Sequence, residues 1–379
     1  MQQRIEWELV TDDQRLAELC QQWRKLSALA LDTEFIRINT FYPIAGVIQV
    51  GDGSRAFLLD PLQLTEWRPF VELLESPDIL KLLHSGSEDL VLFQHFFNCL
   101  PSPLFDTQKA AAFLGYGYSI SYLNLVRDLT NVELVKTETR SDWLKRPLLE
   151  EQCTYAALDV AYLHAIHQQL AQGLADKNLV EPARQEFAQM LRVTRKIEEP
   201  SNWSEMYLQM GAAWRLTAQQ LGALKLLAEW REIEARRRDK PRPWVARDTD
   251  LISIAEQMPQ DREALKNIEG LTRSLYHQDA DVLVELIQRS EPVAEETVQA
   301  MDSQPLTPAQ RQLLRQLQKG VRSIAKQTGI AEELLGRKKQ LVALLRLNGS
   351  QSGGALQWPD EVNHWQRDLL AAELTPVLQ

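Results

Sequence analysis

The sequence predicts an α/β domain followed by small all-α domains. Strand-like and helix-like segments alternate over about the first 170 residues, and strand-like segments disappear after Pro200. Two later segments, 216–221 and 306–311, begin alike and stand ninety residues apart. The chain of 379 residues is also longer than one average domain. We therefore expect two or three domains, with the β-sheet in the first.

The first domain is predicted to be a mixed sheet flanked by helices. Thr11-Asp12-Asp13 offers a helix N-cap, and Gly51-Asp52-Gly53-Ser54 offers a turn between two strands. Apolar runs predict strands at 7–10, from 28 to the carboxylates that follow, and at 42–50, 55–59 and 80–84. Periodic apolar spacing and a proline breaker predict helices at 14–26, 88–97 and 150–170.

The helical part shows the signature of a duplication. Thr217 and Thr307 each offer an N-cap before an amphipathic helix, and Pro308 occupies the first helical position of the second copy. An acidic, proline-bounded segment at 291–305 separates the copies. The expected boundaries are 1–200 for the α/β domain, 210–290 for the first helical domain and 300–375 for a second, degenerate one, with a flexible loop at 349–354.

Composition excludes several classes of protein. No apolar run approaches the roughly 18 to 20 residues that span a bilayer, and the N-terminal segment lacks the apolar core of a signal peptide. Cys20, Cys99 and Cys153 show no CxxC spacing, which favours reduced thiols without a structural zinc site. Neither GxxxxGK[ST] nor GxGxxG occurs, so no nucleotide cofactor is expected. We expect a cytoplasmic protein with no membrane association.

The charge is unevenly distributed along the chain. The formal net charge is -10, of which residues 1–200 carry -9 and residues 201–379 carry -1. Segment 231–247 has seven basic and three acidic residues, and segment 306–346 has nine basic and two acidic residues. An acidic first half followed by basic segments suits a metal-dependent catalytic domain with polyanion-binding modules behind it. The alternative is that the basic segments are solvated helix faces.

Paired carboxylates end one of the predicted strands. Asp32 and Glu34 stand two residues apart, so both side chains leave the same face of the sheet. Two like charges this close repel each other, and one would protonate unless a cation held both. Mg²⁺ favours carboxylate oxygens and resolves the repulsion. An exposed strand can also carry such a pair without a metal, so this feature alone is weak.

Two further acidic features are weak when each is taken alone. Tyr155 and Asp159 stand four residues apart on a predicted helix and share one face. A tyrosine packed in the core beside an exposed aspartate would show the same spacing. Asp89 lies at the start of the predicted helix 88–97, where a carboxylate is favourable for structural reasons alone.

The order and spacing of these residues resemble the DEDDy 3′-to-5′ exonucleases. That pattern is Asp-x-Glu on an early strand, an Asp about 55 residues later, and Tyr-x-x-x-Asp on a late helix. Segment 139–148, Thr-Arg-Ser-Asp-Trp-Leu-Lys-Arg-Pro-Leu, and the paired helical domains resemble the bacterial ribonuclease D family. The resemblance covers nearly the whole chain. It implies a ribonuclease-H-like exonuclease fold followed by two HRDC-like domains, the helical domains shared with RecQ-type helicases.

The resemblance also implies an activity. It is a 3′-to-5′ exoribonuclease that trims 3′ trailers from tRNA precursors and other small structured RNAs, releasing nucleoside 5′-monophosphates. Two divalent ions, Mg²⁺ or Mn²⁺, would serve as cofactors. Asp32 would bridge them, Glu34 and Asp159 would complete the site that activates water, Asp89 would support the second ion, and Tyr155 would orient the water.

Two alternatives stay open at this point. A DNA-directed 3′-to-5′ exonuclease would use the same residues, because the choice of RNA depends on 2′-hydroxyl contacts that a sequence does not reveal. A non-catalytic RNA-binding adaptor would keep the fold without the chemistry. The presence of all four carboxylates and Tyr155 weighs against the adaptor.

Candidate nucleic-acid contacts fall into two groups. Phe35 could stack on a terminal base, although core packing explains it equally well, and Gln49 could contact the terminal nucleotide, although a satisfied buried amide explains it better. The basic segments interleave cations with Trp230 and Trp244, a mixture that suits phosphate contact with some base stacking. The basic candidates are Arg231, Arg236, Arg237, Arg238, Lys240 and Arg242 in the first segment and Lys319, Arg322, Lys338 and Lys339 in the second.

Overall fold

A computed structural model describes residues 5–134, 141–294, 304–348 and 356–378. The chain packs into two compact units, and each is described by itself. The first unit contains Met1–Ile36, Pro43–Arg195 and Gln312–Gln379, and the second contains Arg37–Tyr42 and Lys196–Arg311. In the described ranges, no helix is long and apolar enough to cross a membrane.

The first unit is built on a six-stranded mixed sheet, which confirms the expected fold class. The strand order is β1-β4-β3-β2-β5-β6. The central strand β2 is antiparallel to β3 and parallel to β5, and its register with β3 shifts between Glu34 and Phe35. The strands are β1 (Trp7–Val10), β2 (Ala28–Ile36), β3 (Ile44–Gly51), β4 (Ala56–Leu59), β5 (Leu80–Leu83) and β6 (Leu104–Asp106).

Burial explains why β2 lies at the centre of the sheet. Leu29, Ala30 and Leu31 are fully buried, as a strand covered by its neighbours and by helices requires. Along the chain, helices alternate with the strands and then follow the last strand. They are α1 (Asp13–Trp23), α2 (Arg68–Glu75), α3 (Ser87–Phe97), α4 (Thr107–Leu114), α5 (Tyr122–Thr130), α6 (Glu150–Ala161), α7 (Leu163–Asp176) and α8 (Val180–Ile197).

Two predictions for the first unit were wrong in detail. The helix expected over 150–170 is two helices, α6 and α7, which are separated at Tyr162. The short strand β6 was not expected. Its three residues are too few to show the alternation of apolar and polar residues that predicts a strand. The remaining strands and helices differ from expectation by a few residues at their ends.

The last part of the chain packs with the sheet domain in the same unit. The Ala331 N–H donates to the Ala112 carbonyl oxygen, and the Trp365 ring lies 4.9 Å from the Phe113 ring. The helices are α15 (Pro308–Thr328), α16 (Glu332–Leu335), α17 (Lys338–Asn348) and α18 (His364–Leu378). The loop predicted at 349–354 lies outside the described residues, as does most of the separating segment 291–305.

The second unit is helical and has its own apolar core. Its helices are α9 (Pro200–Trp203), α10 (Ala218–Arg237), α11 (Arg242–Val245), α12 (Asp248–Gln257), α13 (Arg262–Lys266) and α14 (Arg273–Gln288), with 3-10 turns at Met206–Gln209 and Ala213–Arg215. Phe41, from the segment that joins β2 to β3, is buried in this core. The boundaries 1–200, 210–290 and 300–375 stay predictions.

The two helical repeats begin with the same local structure. Thr217 accepts a hydrogen bond from the Gln220 N–H, and the Gln220 side chain accepts one from the Thr217 N–H. Thr307 and Gln310 make the same reciprocal pair before α15. This capping box satisfies two backbone donors that the first helical turn would otherwise leave unpaired. The helix starts expected after both threonines are therefore confirmed.

Candidate active site

The predicted carboxylates of β2 lie side by side. Asp32 and Glu34 are partly exposed, whereas Thr33 between them is buried. This alternation follows from the period of two along a strand. The two carboxylates therefore face the same side of the sheet, where an ion or a substrate can reach them.

Helix α6 brings a third carboxylate to the same point. Asp32, Glu34 and Asp159 each offer an oxygen, and these three oxygens lie within 4.8 Å of one another. The helix can approach the sheet closely because Ala156 and Ala157 are small and buried. Asp159, on a partly exposed position of the same helix, then reaches the end of β2.

Asp89 joins the cluster from α3 and is buried. It accepts a hydrogen bond from the Thr33 hydroxyl, so it is attached to the strand between the two exposed carboxylates. Asp89 does not belong to the group of three oxygens that lie within 4.8 Å of one another. The sequence predicted Asp89 for the site but gave no indication of the bond to Thr33.

Burial and mutual repulsion disfavour ionisation of these four groups. Burial, with the charges of Asp159 and Asp89, raises the pKa of Glu34 to about 8. Burial and Asp89 raise the pKa of Asp159 to about 7, and burial raises that of Asp89 to about 6. The pKa of Asp32 is raised well above its ordinary value by burial and by the three other carboxylates.

The cluster fits a hard divalent cation. Its donors are all carboxylate oxygens, the ligands that Mg²⁺ and Mn²⁺ prefer. Four such groups cannot all be charged near neutral pH without a compensating positive charge. Asp32, Glu34 and Asp159 are the residues that would hold an ion directly.

Tyr155 lies one helical turn before Asp159 and is partly exposed. Burial and the neighbouring carboxylates raise the pKa of Tyr155 above its ordinary value, so its hydroxyl stays protonated at neutral pH. The Trp143 ring centroid lies 6.1 Å from that of Tyr155. The tyrosine therefore offers a neutral hydroxyl beside the carboxylates, with a buried indole next to its ring.

Gln49 and Phe35, both predicted to contact nucleotide, lie close to the carboxylates. Gln49 is opposite Asp32 in the register of β2 and β3 and is fully buried. Its side-chain amide lies 3.5 Å from an Asp32 carboxylate oxygen, and its own amide oxygen has no partner among the described residues. Phe35 is partly exposed, directly after Glu34. Their contact with nucleotide stays a prediction.

The loop before α6 contains residues whose roles the sequence did not indicate. The Arg146 guanidinium makes two hydrogen bonds of 2.7 Å to the buried Asp60 carboxylate. It also donates to the carbonyl oxygens of Trp143 and Gly46, both at 2.8 Å. This arginine therefore fixes the loop that places Trp143 beside Tyr155. Both Trp143 and Arg146 lie in segment 139–148, of which residues 139 and 140 are outside the described part of the chain.

Much of the first basic segment is engaged inside the second unit. Arg236 and Arg242 both pair with the buried Glu232 carboxylate. Both guanidinium groups also lie over the Phe41 ring, at 4.5 and 4.9 Å from its centroid. Nearby, the Asp239 carboxylate accepts hydrogen bonds from the backbone N–H groups of Phe41 and of the residue after it. These residues hold segment Arg37–Tyr42 in place.

The remaining cations of that segment divide by exposure. Arg231 is buried and donates to Asp248, and Arg238 pairs with Glu234 and Asp279. Arg237 has a side chain that is 64% exposed, and Lys240 is exposed beside the Trp244 ring. Arg237 and Lys240 are therefore the members of this predicted group most accessible to a polyanion. RNA contact by any of them stays a prediction.

The second basic segment faces solvent in the described part of the chain. Lys319, Arg322 and Lys326 are exposed on one face of α15, at intervals of three and four residues. Lys338 and Lys339 are exposed at the start of α17. Arg322 lies 3.8 Å from Glu332, a loose contact that leaves its guanidinium half exposed. This segment presents more exposed cations than the first.

Comparison with known proteins agrees with this geometry. The family model described as 3′-5′ exonuclease matches residues 7–175, and the HRDC domain model matches residues 220–287. Ribonuclease D from Pseudomonas paraeruginosa is 40% identical over 378 residues, which is 99% of this chain and 98% of the relative. Ribonuclease D from Escherichia coli K12 is 35% identical over 99% of each chain.

A solved structure extends the similarity to three dimensions. The crystal structure of Escherichia coli RNase D is described as that of an exoribonuclease involved in structured RNA processing. It matches with a TM-score of 0.85 and 34% identity, over 99% of both chains. The similarity therefore includes the helical part of the chain as well as the sheet.

Proposed function

The chain belongs to the bacterial ribonuclease D family and is a 3′-to-5′ exoribonuclease, and we propose that it trims 3′ trailers from tRNA precursors and other small structured RNAs. The family is dependent on divalent metal. The observation that carries the proposal is the cluster of Asp32, Glu34 and Asp159, whose oxygens lie within 4.8 Å of one another at the end of β2. The solved relative, described as acting in structured RNA processing, supports the choice of substrate.

The reaction is hydrolysis of the last phosphodiester. A water oxygen bonds to phosphorus, the bond from phosphorus to the 3′ oxygen of the preceding nucleotide breaks, and a nucleoside 5′-monophosphate leaves. Two divalent ions, Mg²⁺ or Mn²⁺, would supply charge neutralisation at the phosphate and lower the pKa of water. Asp32 would hold both ions, Glu34 and Asp159 would complete one site, and Asp89 would support the other.

Tyr155 would orient the water. Its hydroxyl stays protonated because burial and the carboxylates raise the pKa of Tyr155, so it serves as a hydrogen-bond partner and not as a base. Trp143 packs beside its ring and limits its movement. Phe35 follows Glu34 on β2, Gln49 lies opposite Asp32 on β3, and both would contact the terminal nucleotide.

The exposed cations of α15 and α17 would bind the RNA backbone. Lys319, Arg322, Lys338 and Lys339 face solvent, and phosphate contacts of this kind act independently of sequence. In the first basic segment, Arg237 and Lys240 are the accessible candidates. We also propose a cytoplasmic location, because substrate RNA and reduced, buried cysteines both suit that compartment. Cell fractionation tests it, and recovery outside the cytoplasm would overturn it.

A single cleavage assay tests the proposed function. A tRNA precursor with a 3′ trailer, labelled at its 5′ end, is incubated with the wild type and with the Asp32→Asn variant, in Mg²⁺ and then with EDTA. We expect a ladder that shortens from the 3′ end and that disappears with EDTA or with Asp32→Asn. Tyr155→Phe should give the same ladder more slowly, with little change in RNA affinity.

The controls separate the alternatives. Asp176→Asn removes an exposed carboxylate on α7 and should cleave at the wild-type rate. Wild-type cleavage by Asp32→Asn would place the metal site elsewhere. Faster digestion of a matched single-stranded DNA would indicate a DNA-directed exonuclease, and RNA binding without cleavage would indicate an adaptor.

A further inference from the structure

The helix that carries Tyr155 and Asp159 is interrupted directly after the site. Helix α6 ends at Ala161, α7 begins at Leu163, and Tyr162 between them has φ −104° and ψ −2°. In an uninterrupted α-helix the Tyr162 N–H would donate to the Leu158 carbonyl oxygen, four residues earlier. That hydrogen bond is not formed at the break, where the Tyr162 N–H also faces the Val160 carbonyl oxygen, and Asp159 lies within the turn that the bond would close.

A side chain from another helix occupies the place of this hydrogen bond. The Tyr122 hydroxyl donates to the Leu158 carbonyl oxygen at 2.9 Å and accepts from the Tyr162 N–H at 3.2 Å. One oxygen therefore stands between the two backbone groups that would otherwise pair with each other. Insertion of a side-chain group into the hydrogen-bond ladder is an established cause of a helix break.

The inserted tyrosine is held from the opposite side by the end of β5. The His84 ring packs edge-to-face on the Tyr122 ring, with centroids 5.6 Å apart. His84 also forms a hydrogen bond of 3.2 Å with the Ile120 carbonyl oxygen, two residues before Tyr122. The segment that leads into α5 is thereby tied to the strand that precedes Asp89. The hydroxyl has little freedom to leave its position.

The break lies in the helical turn that carries Asp159. Each residue of an α-helix turns the side-chain direction by about 100°, so a change in the turn from 158 to 162 moves the Asp159 carboxylate relative to β2. Asp159 contributes one of the three oxygens that lie within 4.8 Å of one another, a distance that a small rotation would change. We propose that Tyr122 is a positioning residue, whose hydroxyl holds the α6–α7 break and thereby aims Asp159 at Asp32 and Glu34.

We expect the Tyr122 hydroxyl to affect the geometry of the carboxylate cluster more than the stability of the fold. Without the hydroxyl, the Leu158 carbonyl and the Tyr162 N–H can pair with each other, so neither group is left buried without a partner. The expected effect therefore appears in metal affinity and turnover, and the fold is preserved. The inference rests on the proposed metal-dependent activity of the same site.

The test is the Tyr122→Phe variant, which removes one oxygen. Binding of Mn²⁺ is measured by electron paramagnetic resonance of the free ion, and kcat and KM are measured on the tRNA precursor. Because residues that orient a metal ligand typically change affinity by about 10- to 100-fold, we expect Mn²⁺ to bind ~10-fold more weakly. We expect kcat to fall by about 10-fold with KM changed by less than about 2-fold, since RNA contacts are untouched.

A matched variant controls for the loss of a hydroxyl. Tyr118→Phe removes a hydroxyl that accepts from Lys109 in the same unit, and should keep wild-type Mn²⁺ affinity and kcat. Unchanged Mn²⁺ affinity and kcat in Tyr122→Phe would overturn the inference, and so would a lower melting temperature without either change. A wild-type protein that bound no Mn²⁺ would instead contradict the proposed function.

Discussion

At the scale of single residues, the carboxylates of the site destabilise the folded state when they are ionised. Glu34, Asp159 and Asp89 have pKa values raised to about 8, 7 and 6, against ordinary values of 4.5 for glutamate and 3.8 for aspartate. A raised pKa means that the protonated form is favoured in the folded state. The stabilising contribution is therefore complete at low pH and is lost as the pH rises through these values.

Asp32→Asn should therefore stabilise the metal-free protein at alkaline pH. Above pH 8, where the three neighbours are mostly ionised, the variant removes repulsion with them, and we expect a gain of about 1 kcal/mol, or ~2–4 °C in melting temperature. The gain in stability should be smaller near pH 5, where the neighbours are protonated. It should also be smaller when Mg²⁺ is present. Thermal unfolding followed by circular dichroism in EDTA measures it. A gain that was equal at both pH values would assign the effect to something other than charge.

The site residues differ in how far the sequence reveals them. Asp32 and Glu34 are adjacent because a strand has a period of two, and Tyr155 and Asp159 share a face because they are four apart on a helix. Such local rules predicted both pairs. The bond from Thr33 to Asp89 and the insertion of Tyr122 depend on distant segments meeting, and no local spacing encodes them.

At the scale of elements, β3 and the loop before α6 fit together because Gly46 lacks a side chain. A Cβ at Gly46 would lie 2.5 Å from the Trp143 Cβ and 2.9 Å from its carbonyl oxygen. It would also lie 3.1 Å from the Glu34 carbonyl oxygen. The loop and the central strand β2 therefore approach each other so closely at Gly46 that a larger residue there would clash with both.

Gly46→Ala should displace the loop that carries Trp143. Because the added carbon meets backbone and Cβ atoms that cannot rotate away, we expect a loss of about 1–3 kcal/mol and a fall in kcat larger than the change in KM. Urea unfolding and the cleavage assay measure the two effects. Gly211→Ala is the matched control, because a Cβ there has nothing within 4 Å. Wild-type behaviour of Gly46→Ala would show that the loop tolerates the shift.

Elements were predictable where a single period governs them. The strands that begin at Trp7 and Ala28 and the helix after Asp12 appear as expected, since burial pattern and N-cap are local signals. Segment 150–170 has one helical period throughout, and so its sequence predicts one helix. At the break the Tyr122 hydroxyl, from outside that segment, bonds to Leu158 and Tyr162, a contact that the period of the segment does not encode.

At the scale of the whole molecule, the two basic segments have different surroundings. Arg236 and Arg242 are paired with Glu232, whereas Lys319 and Lys326 face solvent on α15. Two segments that are both basic in the sequence therefore differ in how much of their charge is accessible in the structure. The hydrogen bonds that Glu198 and Asp239 accept from segment 37–42 were not predictable, because they depend on which loops meet.

Reversing the exposed charges should weaken RNA binding. For the double variant Lys319→Glu and Arg322→Glu we expect lower affinity and a flatter dependence of log affinity on log salt, by about 0.7 for each phosphate that the variant no longer binds. Arg68→Glu is the control, since that side chain is 87% exposed on α2. Binding of a labelled tRNA precursor to catalytically inactive Asp32→Asn protein at several salt concentrations measures it. A wild-type salt slope would assign these residues to a solvated face.

The first unit contains residues from both ends of the chain, and this has a consequence for biosynthesis. Ala112 and Phe113 pair with residues 331 and 365, more than two hundred positions later. A ribosome delivers the chain from its N-terminus, so the sheet emerges long before the helices that pack with it. The nuclease unit therefore completes its packing only after synthesis of its last helix, and a truncated transcript would yield an unfinished enzyme.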